Sequence, residues 1–129
     1  MLAVDTNVVI RYLVKDDDEQ SARAKAIVEA GAVFLSLTVV LECEWVLRSL
    51  YGFSRLDAVR ALRSFCGAPG VSVGDARVVE TAFRLAELGL DFADSLHLAQ
   101  AAGEEAFVTF DKALAKRAAH LEGFVVRLA

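Results

Sequence analysis

Asp5, Glu42, Asp94 and Asp111 are the residues of this 129-residue chain best suited to do chemistry. Each ends a hydrophobic run or interrupts one, and an ionised carboxylate among apolar neighbours is costly unless it is paired or metal-bound. If the fold gathers them, the simplest compensation is a hard divalent cation, which prefers oxygen ligands. Taken singly, Asp5 and Asp111 read as helix caps at strand–helix turns, a frequent use of Asp. Glu42 lies one turn inside an apolar helix, with Glu44 two residues on as the natural solvent-facing acid. Asp91 and Asp94 share a helix face, Asp91 being the cap and Asp94 the first-turn acid. His97, one turn further, reads as a core residue or a support for that acid. Metal-bound acids of this kind suit phosphodiester cleavage, in which cations generate the nucleophile and stabilise the leaving oxygen.

The elements that must position these acids alternate. Met1–Val4 reads as a buried strand, Asn7–Val14 as a short helix with Val8, Ile10 and Tyr12 inward, and Asp18–Ala30 as a second helix with Ala22, Ala26, Ile27 and Ala30 on one face. A strand over Ala32–Ser36 precedes a helix capped by Thr38 and stopped near Gly52. Ser54 caps a helix with Leu56, Val59, Leu62 and Phe65 as its apolar stripe, and Val71–Val73 is an edge strand. Helices from Asp75 to Leu88 and from Asp91 to Ala102 follow, then a strand over Ala106–Phe110, a helix from Asp111 to Ala119 and a strand over Phe124–Arg127. No run allows a two-residue hairpin, so the pattern predicts an α/β fold with a mainly parallel sheet and helices on both faces. Ligands of such sheets bind outside the carboxyl ends of the strands, where Asp5 and Asp111 fall.

The length predicts a single domain over residues 1–129, with no repeat or linker. A hydrophobic fraction of 56% excludes a disordered chain and leaves apolar surface for a partner. The net charge of −4 argues against coating nucleic acid by bulk attraction, though not against an enzyme whose metal offsets its acids. Cys43 and Cys66 read as reduced core residues, and the N-terminal apolar stretch, broken by Asp5 and Arg11, does not read as a signal peptide. The expected location is cytoplasmic, and no apolar run is long enough to span a bilayer.

Asp5-Thr6-Asn7 after a short strand, Leu41-Glu42 followed by Trp45-Val46-Leu47, Asp91-Phe92-Ala93-Asp94-Ser95-Leu96-His97-Leu98-Ala99, and Val108-Thr109-Phe110-Asp111-Lys112 together resemble the PIN domain. Within it they look most like the VapC toxins of toxin–antitoxin pairs, over nearly the whole chain. The resemblance implies a PIN-like α/β/α sandwich. It also implies an endoribonuclease whose acidic quartet Asp5, Glu42, Asp94 and Asp111 binds Mg²⁺ or Mn²⁺, with Thr6, Asn7 and Thr109 in support. Homodimers and a cognate antitoxin protein that blocks the groove are implied as well. Arg11, Lys15, Arg48, Lys112 and Lys116, each near a quartet residue in sequence, are candidates for RNA phosphates. Tyr12 and Trp45 offer rings to bases but lie on apolar helix faces suited to core or dimer contacts. The rival readings are a non-catalytic PIN-like scaffold, which would be expected to have lost acids, and an aspartyl-nucleophile phosphatase. The phosphatase would need a second acid where Asn7 stands, and a receiver-like domain would need acids clustered at the first strand.

Overall fold

The computed structural model describes all 129 residues. In chain order the elements are β1 (Leu2–Ala3), α1 (Thr6–Val14), α2 (Asp18–Glu29), β2 (Val33–Leu35), α3 (Leu37–Tyr51), α4 (Arg55–Cys66), β3 (Val71–Val73), α5 (Ala76–Glu87), α6 (Phe92–Gln100), β4 (Phe107–Thr109), α7 (Lys112–Ala118) and β5 (Val126–Leu128). Every strand pair is parallel, as the absence of hairpin signals requires, and the architecture is an α/β/α sandwich. The strands form two ladders, one in the order β1-β2-β3 and the other pairing β4 with β5. Leu2 lies opposite Val33, Val33 opposite Val71, and Phe107 opposite Val126. β3 is the edge strand expected of Val71–Val73.

The main core fills from α1, β2, α3, α4, α5 and α6, with Val9, Ile10, Leu35, Leu47, Leu62 and Phe83 at its centre. Phe83 and Phe92 stack there with ring centroids 5.4 Å apart, which locks α5 to the start of α6. A smaller core of Leu85, Leu90, Leu98, Leu114 and Ala118 seats α7. This second cluster fixes the loop before α6 relative to α7, and so sets Asp94 relative to Asp111.

Local chemistry moves several boundaries. Ser36, not Thr38, caps α3: its Oγ accepts from the Val39 N–H at 3.3 Å. Asp17 rather than Asp18 caps α2, accepting from the Gln20 N–H at 2.9 Å. The buried face of α2 is Ala24 and Val28, while Ala22, Ala26, Ile27 and Ala30 are exposed. Alanines stand on both faces of that helix, Ala22, Ala26 and Ala30 on one and Ala24 on the other, so the pattern alone does not orient it. Val9, rather than Val8 or Tyr12, is the fully buried side chain of α1 beside Ile10; Tyr12 leans half-buried on Phe65 at 5.3 Å. Leu56 is exposed, and Ala58 joins Val59, Leu62 and Phe65 in the core. The last strand begins two residues later than its apolar run suggested.

Candidate functional site

The four acids are held in two pairs. Asp5 follows β1 and caps α1, its carboxylate accepting from the Val8 N–H at 3.3 Å. The next residue, Thr6, is buried and donates its hydroxyl to Oε1 of Glu42, so the Asp5 turn and the first half of α3 are joined through one side chain. Glu42 itself is exposed, which leaves its other oxygen free for a ligand. Asn7 lines a concavity with Val8, Arg11, Gln20 and Ile27 between α1 and α2.

Asp94 and Asp111 form the second pair, lining one cleft of about 220 Å³ together with Asp91. Asp91 caps α6 by accepting from the Asp94 N–H at 3.3 Å. Asp111 caps α7, accepting from the Leu114 N–H at 3.0 Å, and its own N–H donates to Oγ1 of Thr109 at 3.0 Å. Thr109 therefore sets the turn that aims Asp111. Burial raises the Asp94 pKa, and the like charges of Asp91 and Asp111 raise it further; His97 and Arg55 pull it down. His97 is exposed rather than buried, its ring lying nearly parallel to Phe107 at 6.3 Å, so it is no core residue.

The two pairs do not meet in one cluster. No three acidic, His or Cys side chains stand close enough to share an ion. β1 and β4, whose ends carry Asp5 and Asp111, belong to different hydrogen-bonded ladders. The donor set nonetheless fits Mg²⁺ or Mn²⁺ chemically. It is all carboxylate oxygen, and Mg²⁺ is ordinarily held by one or two carboxylates plus water and substrate phosphate rather than by a full protein cage. The like-charge crowding around Asp94 is the kind of field that a cation relieves.

Two acids on α3 exchange the roles expected of them. Glu44 is the buried one, only 1% exposed, and both its oxygens accept from the Arg48 guanidinium one turn on. Arg48 thus neutralises a buried carboxylate and does not stand free for phosphate. Arg11 is similarly engaged: it donates to Gln20, to Asp16 at 2.9 Å and to the Tyr51 hydroxyl at 2.9 Å, and the Tyr51 and Asp16 contacts raise its pKa. Lys15, Lys112 and Lys116 are exposed. Trp45, at 54% exposure, is outside the core. Sequence proximity missed Arg55 and Arg117, which line the Asp94–Asp111 cleft from α4 and α7. Arg55 is 39 residues from Asp94, so only the tertiary fold reveals it.

Comparison with curated proteins returns no match. The family model described as the PIN domain matches residues 2–120. That span takes in both acid pairs, the Thr6 bridge and the Thr109 turn, and the chain belongs to the PIN-domain family, whose members are usually nucleases acting on nucleic acid with divalent metal ions.

Proposed function

We propose that this protein, folded as one domain over its 129 residues, is a divalent-metal-dependent endoribonuclease and the toxin of a toxin–antitoxin pair. The observation that carries the reading is the cleft lined by Asp94, Asp111 and Asp91, in which burial and then the like charges of Asp91 and Asp111 raise the Asp94 pKa. Asp94 and Asp111 would hold one Mg²⁺ or Mn²⁺, and Asp5 with Glu42 would complete the site. A bound cation of this type supplies water activation at neutral pH and offsets charge on the phosphate. The chain's own residues do the rest: Thr6 fixes Glu42, Thr109 fixes the Asp111 turn, and the α6 cap fixes Asp94.

The partners follow from the same reading. RNA is the substrate, and exposed apolar side chains such as Trp45, Leu50 and Leu88 offer surface for a second copy and for a cognate antitoxin in the cytoplasm. No helix is long and apolar enough to cross a membrane. The test is cleavage of RNA by the purified protein with Mg²⁺ or Mn²⁺, with and without chelator. Cleavage that stops in excess EDTA while circular dichroism stays native is the expected result; cleavage persisting in EDTA overturns the metal role. Growth arrest on expression, relieved by the product of a short reading frame immediately upstream, tests the toxin assignment.

A further inference from the structure

Phosphate entering the Asp94–Asp111 cleft meets three carboxylates, Asp91, Asp94 and Asp111, and needs cationic groups of the protein as well as any metal. Three other arginines are held by protein partners. Arg48 is committed to Glu44, Arg63 to Glu80 and Glu87, and Arg11 to Asp16, Gln20 and Tyr51. Arg55 and Arg117 differ. Arg55 is the first residue of α4, an end of a helix where a cation is disfavoured by the macrodipole, so it contributes little to holding that helix. Its one salt bridge is to Asp91, at 3.9 Å, too long for a hydrogen bond, and its side chain is 60% exposed. Arg117 lies in the last turn of α7 and donates through Nη1 to the Gly89 carbonyl at 2.8 Å. That contact anchors one nitrogen and leaves the rest of the guanidinium without a protein acceptor.

We propose that Arg55 and Arg117 form a phosphate clamp across the mouth of this cleft, seating the RNA backbone against Asp94 and Asp111. The inference rests on the ribonuclease reading and deepens it by naming the groups that hold the substrate. Guanidinium suits the task because its planar fork matches two phosphate oxygens, and the Gly89 anchor orients Arg117 before substrate arrives. The two arginines line the cleft from α4 and α7, so they can grip the backbone from different elements.

The test uses Asp5→Asn protein, so that substrate survives, and a fluorescent single-stranded oligoribonucleotide in Mg²⁺ over a salt series. Adding Arg55→Ala or Arg117→Ala to it is expected to weaken binding about tenfold, the loss of one charge-assisted contact. Each should also lower the slope of log Kd against log salt by about 0.7. In the otherwise unmodified chain the same changes raise KM for cleavage. Unchanged affinity and slope, when the wild-type chain cleaves RNA, overturn the clamp and leave the ribonuclease reading standing. A wild-type chain that neither binds nor cleaves RNA overturns both. Arg117→Ala lowering Tm with no change in salt slope would make Arg117 a support for the Gly89 loop alone, and the clamp would fall.

Discussion

Glu44 and Arg48 show what a single pair contributes. A carboxylate at 1% exposure is tolerable only because the guanidinium one turn away meets both its oxygens. Arg48→Met should therefore destabilise the fold by about 3 kcal/mol, the cost of stranding a buried charge, measurable by urea denaturation. Loss of RNA affinity with unchanged stability would instead make Arg48 a substrate contact. Asp94 makes the opposite kind of prediction. Its pKa is raised by burial, then by Asp91 and Asp111, so the folded protein holds that proton more tightly than the unfolded chain. The ionised form opposes folding at neutral pH, and the opposition fades as pH falls through the raised value toward the ordinary 3.8. Asp94→Asn should consequently raise Tm at pH 7, with a gain that shrinks in acid; a lower Tm at pH 7 would contradict this. Burial also pushes the Cys43 and Cys66 thiols up to about 12, so both should resist alkylation at pH 8 until the protein unfolds. Rapid labelling of the native protein would show that these sites open.

At the scale of the element, small signals set the frame for the acids. Ser36→Ala removes the α3 cap and should cost about 1 kcal/mol in a denaturation curve. Gly70 has a φ of +81°, and a Cβ there would stand 2.6 Å from the Gly31 carbonyl oxygen, whose strand it helps align through its own carbonyl and the Val33 N–H. Gly70→Ala should cost more than the 1–2 kcal/mol or so of left-handed strain alone. Most of these elements were legible in the chain because turn chemistry and periodicity agree: Ser54, Asp91 and Asp111 cap the helices they precede, and Gly52 ends α3 in the left-handed conformation. The orientation of α2 was not legible, since alanine satisfies either face. Nor was the inversion of Glu42 and Glu44. Two acids two residues apart look alike until Thr6 and Arg48, from 36 residues before one and four after the other, choose between them.

For the whole molecule, topology decides how much of the site exists in advance. Parallel ladders place Asp5 and Asp111 at strand ends, but the β1-β2-β3 and β4-β5 ladders are separate, and the acids stand as two pairs. The acidic residues could be picked out from sequence because each breaks an apolar run. The pairing of Asp94 with Asp111, and the arginines beside them, depend on α4, α6 and α7 meeting around one cleft, which no local pattern encodes. The central claim, that these acids together drive metal-dependent cleavage of RNA, is tested most directly by comparing wild type with Asp5→Asn and Asp94→Asn, one from each pair, on RNA in Mn²⁺. The account predicts that either change reduces the cleavage rate by at least about a hundredfold, the scale on which loss of a metal-coordinating group acts, with the fold retained. Cleavage at the wild-type rate by both variants would contradict it.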